Sequence, residues 1–383
     1  MAKRRPNGAG SITRRKDGTY HGRVYVTTTE GVPKRVSRYG KTYDEVAEKI
    51  AKLLELESKG VPTPDKTWKI GPFLLYWLAE IVKPTQRPTT YDKYESMVRL
   101  YLIPKLGKKS LTRLNVKDVR TFLRQMTADQ AGASTTQECM KVLRNALNSA
   151  MREELLLRNV VTLVGIPSAE SKEVIPWSAT EAIAFLRSAR PHRLYAAFVL
   201  ALVLGLRRGE LLGLRWIDLD LGQGVAHPRK QVQRQKGKGL VHVDLKTKAS
   251  KGALPLPLFC VEALGERRRL LELERAKAGE KWTDLDLVFS TETGGLYDPD
   301  HFSQCFQRRV KRSAQRRVRL HDTRHTCGSL LAWLGVHPND AMKILRHSQI
   351  QTTLAIYTHV TTETQRAAAA KISAQLRDGM GGR

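Results

Sequence analysis

The sequence has 383 residues, a formal net charge of +29 at neutral pH and a pI near 10.2. That length is typical of two or three domains, and that charge predicts a polyanionic partner, DNA or RNA, with an anionic membrane or an acidic protein as weaker alternatives. The longest apolar run, Leu194 to Leu206, is too short to span a bilayer, no apolar stretch follows the basic amino terminus, and the four cysteines lack CxxC spacing. A secreted, membrane-spanning or zinc-thiolate protein is therefore not expected, and the predicted location is the cytoplasm.

Residues 1–62 predict a small module of short strands followed by a helix. The stretch from His21 to Thr29 is rich in Val, Tyr and Thr, and Pro33 to Tyr39 is placed to pair back on it. A helix is predicted from about Tyr43 to Ser58. The proline-containing stretch that follows, residues 60–65, predicts a linker.

Residues 66–167 predict a helical domain, because apolar residues recur there at 3.6-residue spacing. One of the predicted helices begins at a capping box formed by Ser134 and Gln137. The segment from Gly165 to Val174, which contains a proline and several polar residues, predicts a second linker.

Residues 174–383 predict a mixed domain. A capping box of Ser178 and Glu181 indicates the start of its first helix. The run from Leu194 to Leu204 is apolar on every side, which predicts a buried helix that ends at Gly205.

Further along this domain, Val-rich pieces between Val225 and Leu258 predict a small antiparallel sheet. Helices are expected to resume after Pro299, and a terminal helix is predicted from Thr361 to Leu376. The predicted fold class is therefore multi-domain and mainly α, with a small amino-terminal β-sheet and helix module, a helical middle domain, and a mixed α+β last domain with a small antiparallel sheet.

Five short motifs of the last domain stand out by residue type and order. They are Gly205-Leu206-Arg207-Arg208-Gly209-Glu210-Leu211, Leu245-Lys246-Thr247, His321-Asp322-Thr323-Arg324-His325, Leu345-Arg346-His347-Ser348 and Tyr357-Thr358-His359. Together they resemble the boxes of the tyrosine recombinase family, particularly the integrases of phages and integrative elements. The resemblance covers roughly Ser178 to Val360, and the helical segment before it is similar to the family's core-site-binding domain in position and size. It implies a site-specific DNA recombinase that integrates and excises a mobile element.

The chemistry of strand exchange explains why such residue types are needed. Displacement at a phosphodiester spreads negative charge over the phosphoryl oxygens, so fixed positive donors are required. Arg207 and Arg324 would supply two planar guanidinium forks, the alternative for each being a surface salt bridge. Tyr357 is the candidate nucleophile, the alternative being a half-buried aromatic of a helix. Because a phosphotyrosine keeps the bond energy, no ATP, metal or other cofactor is expected; the resemblance implies a 3′ linkage that releases a 5′ hydroxyl.

Three further side chains receive predicted catalytic roles. His321 is a candidate general base toward the tyrosine hydroxyl, and His347 is a candidate hydrogen-bond donor to a non-bridging oxygen. The resemblance implies that Lys246 protonates the leaving 5′ oxygen, with Lys248 and Lys251 as competitors for that role.

Two further residues of these motifs have predicted roles outside catalysis itself. Glu210 lies one helical turn after Arg207, where its carboxylate is expected to hold the guanidinium in place. Arg346 departs from the family, which usually has glycine before this histidine. If the backbone there has a positive φ, the arginine is strained by about 1 kcal/mol or more; the alternative prediction is that it adds a phosphate contact.

Basic residues beside the motifs predict DNA contacts. The segment from Ser303 to Leu320 contains no acidic residue, and the alternative to DNA contact is a solvated basic face. Its predicted contacts are Arg308, Arg309, Lys311, Arg312, Arg316 and Arg317. The first module resembles the arm-site-binding domains of integrases, whose three-stranded sheet can lie in a major groove, with Arg14 and Arg15 as predicted contacts.

The resemblance also implies the partners. The substrate is double-stranded DNA at attachment sites, held in a clamp that the helical domain completes. The protein is expected to be a monomer when free and a homotetramer on DNA, in which the terminal helix docks on the next protomer. A directionality factor and a host DNA-bending protein are further implied partners.

Three other functions compete with this interpretation. His321 and His325 lie at i and i+4 beside Asp322, which loosely resembles a zinc protease motif, although the acid is Asp and Arg324 would place a cation against the metal. A catalytically silent DNA-binding protein would keep the same fold. A type IB topoisomerase shares the chemistry but not the predicted arm module.

Overall fold

The structure is a computed structural model that describes residues 10–28, 32–60, 63, 68–166, 175–245, 252–357, 370, 372–375 and 377. The chain divides into two units, Met1–Ser171 and Lys172–Arg383. The described residues of the first unit contain two separate buried clusters, one in the amino-terminal module and one in the helical part. The division into domains 1–62, 66–167 and 174–383 remains a prediction.

The first unit begins with a three-stranded antiparallel sheet and one helix. In chain order and in sheet order the strands are β1 (Ser11–Arg14), β2 (Tyr20–Thr27) and β3 (Pro33–Gly40), and helix α1 (Tyr43–Ser58) follows. Alternate residues of β2 are buried, because every second side chain of a strand points to the face that α1 covers. The two predicted strands and the helix are confirmed, whereas β1 was not predicted.

The rest of the first unit is helical. Its helices are α2 (Ile70–Tyr76), α3 (Lys83–Thr85), α4 (Pro88–Met97), α5 (Ile103–Leu106), α6 (Val116–Ala128) and α7 (Ala133–Arg152). Two π-helical segments, Trp77–Val82 and Val98–Leu102, join α2 to α3 and α4 to α5. Each ends just before a proline near the start of the next helix, where the missing N–H and the bulky ring disturb the regular α-helical hydrogen bonds.

The capping box predicted at Ser134 and Gln137 is wrong as a helix start. Helix α7 begins at Ala133, and its N-cap is Gly132, which has no side chain to cap with. In this helical part, a capping box is formed one helix earlier, at the start of α6. There Asn115 accepts from the backbone N–H of Asp118 at 3.0 Å, and Asp118 accepts from that of Asn115 at 3.3 Å.

The second unit is mainly α with two small antiparallel sheets, which confirms the predicted fold class. Its helices are α8 (Ala179–Ala189), α9 (Tyr195–Val203), α10 (Arg208–Leu212), α11 (Leu258–Ala278), α12 (Pro299–Arg312), α13 (Asp322–Trp333), α14 (Pro338–Leu345) and α15 (Ile350–Tyr357). Its strands are β4 (Leu219–Asp220), β5 (Val225–Ala226), β6 (Lys230–Gln235), β7 (Gly239–Asp244) and β8 (Leu254–Pro255). One sheet has the order β4-β5-β8, and β6 and β7 form a hairpin.

Helix α9 lies at the centre of the core of this unit, as its apolar sequence predicted. Phe198 on α9 packs against Phe185 of α8 and Phe306 of α12, at ring-centroid distances of 5.6 and 5.9 Å. The predicted capping box of α8 is confirmed: Ser178 accepts from the N–H of Glu181 at 3.2 Å, and Glu181 accepts from that of Ser178 at 2.8 Å. The core therefore fixes the carboxyl end of α9, from which the candidate site is built.

Helices resume at Leu258 and not only after Pro299, which corrects the sequence prediction. The missed helix is α11, whose buried Arg267 donates to the carbonyl of Val288 at 2.9 Å and pairs with Glu274. The buried side chains of this helix are Cys260, Ala263 and Leu264 near its start and the paired Arg267, so its apolar pattern is short and weak.

Within the described ranges, every helix is too short or too polar to cross a lipid bilayer. The predicted terminal helix from Thr361 to Leu376 lies largely outside the described residues. Those that are described there, 370 and 372–375, are helical.

Candidate active site

A sharp turn after α9 presents the first predicted arginine, Arg207. The turn is made at Gly205, whose φ of +58° lies in the left-handed region that favours glycine. A Cβ at this position would lie 2.7 Å from Cδ2 of Leu345 and 3.4 Å from Cγ of Arg324. Because distant segments approach this closely, a larger residue at Gly205 would push the site apart.

Glu210 orients Arg207 through two hydrogen bonds. One carboxylate oxygen accepts from Nη1 of Arg207 at 2.9 Å, and the other accepts from the backbone N–H of Arg207 at 3.2 Å. Glu210 is 2% exposed, whereas the side chain of Arg207 is 38% exposed. The contact expected from the sequence is thus present, with a buried carboxylate orienting an accessible guanidinium.

Arg324, in the first turn of α13, is almost completely buried. Its Nη1 donates to the carbonyl of Gly205 at 2.6 Å, its Nη2 donates to the carbonyl of Leu345, and its Nε donates to Nε2 of His347 at 3.2 Å. Burial, and then the positive charge of Arg207, lower the pKa of the Arg324 guanidinium to about 9, so it is charged at neutral pH. Two arginines far apart in sequence therefore share one electropositive region.

His347 is buried between Arg324 and Thr353. Because Nε of Arg324 can only donate, Nε2 of the ring accepts, which assigns the proton to Nδ1 and makes it the donor to Oγ1 of Thr353 at 2.8 Å. Burial and the nearby arginines lower the pKa of His347 to about 4. Both ring nitrogens are engaged in this arrangement, and donation from His347 to a phosphate oxygen remains a prediction.

This histidine should make the fold sensitive to acid. A pKa of about 4 in the folded chain against 6.5 in the unfolded chain means that, as the pH falls, the unfolded state binds the proton first. The contribution of His347 is complete above pH 6.5 and is lost as the pH falls toward 4. Between pH 7 and pH 5 we expect this group to lower the free energy of unfolding by about 1 to 2 kcal/mol.

Urea unfolding at both pH values measures the effect in the parent chain and in His347→Gln. The free energy of unfolding should fall less between pH 7 and pH 5 in His347→Gln than in the parent chain, by about 1 to 2 kcal/mol. Replacing the exposed His227 by Gln is the matched control and should leave the drop unchanged. An identical drop in all three proteins would contradict the assignment to His347.

His321 precedes the first residue of α13 and lines an exposed cavity of about 470 Å³ together with Arg208, Ser303, Gln307, Arg317, Arg319 and Leu320. Its ring meets that of His325 edge to face, with the centroids 5.8 Å apart. Desolvation lowers the pKa of His321, and His325 and Arg324 act in the same direction. A neutral imidazole at the edge of a basic cavity is able to accept a proton.

Tyr357 is the last residue of α15, which packs on α13 and α14 through Ile356, Leu345 and Cys327. Its hydroxyl donates to the carbonyl of Val336 at 2.8 Å, and the phenol is half-buried. Burial raises its pKa, so the hydroxyl is protonated at neutral pH. The nucleophile candidate thus lies on a helix packed against the helix of Arg324, with its hydroxyl held by a backbone carbonyl.

Lys246 and its competitors Lys248 and Lys251 lie outside the described residues. The preceding residue, Leu245, is buried and follows the β6–β7 hairpin. Its N–H donates to the carbonyl of Arg229 at 2.9 Å. The role of Lys246 therefore remains a prediction.

The basic residues of the 303–320 segment do not share one face. Arg317 lines the cavity of His321, whereas Arg308, Arg309 and Arg312 act on the pKa of His192. Lys311 is exposed. The structure thus brings only part of the predicted basic stripe to the cavity.

Arg316 has a different use from the one predicted. Its guanidinium donates to the carbonyls of Ile175 and Pro176, both at 2.8 Å, and pairs with Glu181 at 3.3 Å. These bonds fasten the start of the second unit to α8, which argues against the predicted DNA contact.

In the amino-terminal module, the structure separates the two predicted contacts, because Arg14 lies on the side of the sheet that faces α1 and Arg15 does not. Arg14 pairs with Tyr20 and has the same strand parity as Ile12, and both of these apolar residues pack toward α1. Arg15 follows the strand, pairs with Asp17 and has its guanidinium 5.6 Å from the ring centroid of Tyr39. Tyr39 has the strand parity of the outward-facing residues, so Arg15 lies at the outer face.

The outer face carries basic and aromatic residues that sequence reasoning missed. Arg23 and Tyr25 of β2 point outward and are exposed, and Arg35 of β3 lies opposite Tyr25 with its guanidinium 5.9 Å from the ring centroid. The sequence contains a signal for them, because Arg23 and Tyr25 alternate along β2 with the apolar Val24 and Val26, which are buried.

Two family models match this chain. The phage integrase family matches residues 178–364, and the SAM-like amino-terminal domain of phage integrases matches residues 70–126. The two matches together include more than half of the chain and every motif quoted above.

Known proteins with similar sequences cover nearly the whole chain. An integrase of Saccharopolyspora erythraea is 27% identical, over 93% of this chain and 94% of its own length. A tyrosine recombinase XerC-like protein of Caldanaerobacter subterraneus is 27% identical, over 90% of this chain and 94% of its own length.

Two solved structures with a similar fold contain bound DNA. The Tn1549 transposon integrase in complex with transposon right end DNA has a TM-score of 0.68 at 20% identity, over 80% of this chain and 99% of that chain. A lambda integrase dimer bound to a COC′ core site has a TM-score of 0.55 at 16% identity, over 93% and 96% of the two chains.

The structure and the family matches also argue against the metallohydrolase interpretation. In the metallohydrolase alternative Asp322 would assist a metal, but its carboxylate accepts from the backbone and the guanidinium of Arg319 at 2.8 and 2.9 Å. Matches of two integrase models and of relatives along nearly the full length place the motifs in a recombinase instead. The chain belongs to the phage integrase family of tyrosine recombinases.

Proposed function

We propose that this chain, a site-specific DNA recombinase, cuts and rejoins DNA with Tyr357 as its nucleophile. The phenol oxygen attacks the phosphorus, a bond between tyrosine and the 3′ phosphate forms, and the bond to the 5′ oxygen breaks. The leaving oxygen takes a proton from Lys246 and departs as a 5′ hydroxyl. Attack by the 5′ hydroxyl of another strand reverses these steps and releases the tyrosine.

The observation that carries the proposal is the convergence of Arg207 and Arg324 on one region. Gly205 and Leu345 offer backbone carbonyls that fix the plane of Arg324, and Glu210 fixes Arg207. A guanidinium has five N–H groups, so these bonds do not exhaust its donors. Two oriented forks are then ready for the non-bridging oxygens, which gain charge as the bond order at phosphorus changes.

The remaining site residues have supporting roles in this proposal. His321, at the edge of the basic cavity, takes the proton of the tyrosine hydroxyl. To donate a hydrogen bond to the phosphate, His347 must carry its ring proton on Nε2, which then leaves Arg324 while Nδ1 accepts from the hydroxyl of Thr353. Glu210 acts through Arg207 and does not touch the DNA.

Trapping of a covalent adduct tests the proposal. The chain is incubated with a nicked duplex that carries the DNA junctions flanking its gene, so that cleavage releases a short fragment and prevents rejoining. Denaturing electrophoresis should then show a protein–DNA adduct, and mass spectrometry of its peptides should locate the nucleotide on Tyr357. DNA binding without an adduct would instead support the catalytically silent alternative.

The domains 1–62, 66–167 and 174–383 are proposed to bind arm sites, to bind core sites and to catalyse, respectively. The DNA partners are attachment sites of a mobile element, and the active form is a homotetramer, by analogy with a lambda integrase tetramer bound to a Holliday junction. A directionality factor and a host DNA-bending protein are proposed to choose between integration and excision. The site of action is the bacterial cytoplasm.

The outer face of the amino-terminal sheet is the proposed arm-site surface. Arg23, Tyr25 and Arg35 combine charge with an exposed ring, and a three-stranded sheet fits a major groove. Arg23→Ala combined with Arg35→Ala should weaken binding to duplexes from the ends of the element by about 30-fold or more, with a shallower dependence on salt.

Gel-shift titration at several salt concentrations measures this effect. Arg14→Ala combined with Lys34→Ala is the matched control, because it also removes two positive charges, from positions with the strand parity of the side that faces α1. An equal loss of affinity in the control would show that net charge, and not the outer face, determines arm-site binding.

A further inference from the structure

Arg346 has a backbone that favours glycine and a side chain that is buried. Its φ and ψ are 51° and 47°, in the left-handed region, and it is only 3% exposed. A non-glycine residue is strained in this conformation, and a buried guanidinium adds a desolvation cost. Both costs require compensating contacts.

The compensating contacts lead to Arg207. Nη2 of Arg346 pairs with one carboxylate oxygen of Glu210, whose other oxygen holds Nη1 of Arg207 at 2.9 Å. The backbone carbonyl of Arg346 also accepts from Nη2 of Arg207 at 3.5 Å. Residue 346 therefore reaches Arg207 in two ways, through a carboxylate and through its own main chain.

The neighbours of Arg346 serve the other arginine. Leu345 offers its carbonyl to Nη2 of Arg324, and His347 offers Nε2 to the Nε of Arg324. Three consecutive residues thus contact both guanidinium groups of the site. The left-handed backbone at Arg346 is what lets the chain turn between these contacts.

Resting on the proposed function, we propose that Arg346 is a positioning residue of the active site, acting on Arg207 through Glu210. Without Arg346, the carboxylate of Glu210 would neutralise Arg207 at the place where a phosphate must bind. The guanidinium of Arg346 restores a net positive charge to the group of three side chains. It also holds the carboxylate of Glu210 in place when Arg207 binds the phosphate. The alternative expectation of a direct phosphate contact conflicts with the burial of Arg346 and its pairing with Glu210.

Arg346→Gly provides a test in which folding is favoured, because glycine suits the left-handed backbone. The rate of adduct formation on the nicked junction duplex, at saturating protein, should fall about 10- to 100-fold. The Kd for the same duplex should change less than about threefold, since Arg346 does not contact DNA. Arg346→Lys, which keeps the charge without the planar fork, should be at least about threefold faster than Arg346→Gly.

A double variant distinguishes positioning from a purely structural role. If Arg346 acts through Glu210, then in a Glu210→Gln background Arg346→Gly should have less than about a threefold further effect, or should restore part of the rate, because the buried charge has lost its partner. Full, independent losses from the two substitutions would overturn the inference. So would an Arg346→Gly protein that forms adduct within threefold of the parent rate.

Misfolding of Arg346→Gly and inactivity of the parent chain have separate consequences. If Arg346→Gly does not fold, Arg346→Asn takes its place, since asparagine tolerates this backbone and carries no charge. If the parent chain itself forms no adduct while binding the duplex, the proposed function fails and the inference fails with it. Adduct formation by the parent, with unchanged rates in the variants, would overturn the inference alone.

Discussion

Tyr357→Phe is expected to abolish the covalent protein–DNA adduct while leaving DNA binding intact. Phenylalanine lacks the oxygen that would form the bond to phosphorus, and no water can replace it as a covalent anchor. The adduct rate should fall below detection, a loss of about 10⁴-fold or more relative to the parent chain. The Kd for the nicked junction duplex should change less than about threefold, because no positive charge is removed.

The variant should remain folded. The lost hydroxyl donates to the carbonyl of Val336 at 2.8 Å, and a half-buried hydrogen bond contributes about 1 kcal/mol to stability. The packing of α15 through Ile356 is unchanged. Thermal unfolding therefore separates a chemical defect from a folding defect.

Tyr297→Phe is the matched control. Tyr297 is buried in the same unit and stacks on His301, so Tyr297→Phe also removes a phenol oxygen, but from a residue outside the site motifs. Its adduct yield should equal that of the parent. A persistent adduct in Tyr357→Phe would mean that another residue is the nucleophile, and a loss in both variants would point to a general loss of structure.

The hydrogen bond to Val336 also bears on the order of events. Because burial raises the pKa of Tyr357, the hydroxyl needs a base, and it must leave the carbonyl before it reaches a phosphate. His321 is exposed at a basic cavity and its pKa is lowered, so it is neutral and able to accept the proton. Release of the Tyr357 hydroxyl from the carbonyl of Val336 is therefore a required step of the proposed reaction.

Much of the fold could be predicted from local patterns. The apolar run of α9 predicted a buried helix, because a helix that is apolar on every side is stable in water only inside a core. Gly205 after this run predicted where the helix ends. The Ser178–Glu181 box identified the start of α8 for an equally local reason. Each of these signals lies within a few residues of the feature it predicts.

The features that were missed depend on distant or charged partners. Helix α11 buries Arg267 by pairing it with Glu274, so its sequence reads as charged and not amphipathic. Arg346 and Glu210 are 136 residues apart, and the only sign of their pairing was an arginine at a usual glycine position. Periodicity cannot detect an ion pair between two segments that meet only in the folded chain.

The second large effect is expected for Arg324→Lys, which should reduce the adduct rate about 10²- to 10³-fold. Lysine keeps the charge, but its single ammonium cannot reach Gly205, Leu345 and His347 together, as the planar guanidinium does. Buried acceptors left without donors cost about 1 to 3 kcal/mol each, so the free energy of unfolding should also fall by a few kcal/mol. Adduct rates are therefore compared at a temperature where urea unfolding shows both proteins to be fully folded.

Arg190→Lys is the control that isolates the effect of burial. Arg190 also holds its partner, Glu266, with two guanidinium nitrogens, but its side chain is 51% exposed and the pair lies away from the site motifs. Because water can replace a lost bond there, stability should change by less than about 1 kcal/mol and the adduct rate should not change. If Arg324→Lys cleaved within tenfold of the parent, charge alone would be sufficient, and the buried fork joining Gly205 to Leu345 would serve the fold and not the phosphate.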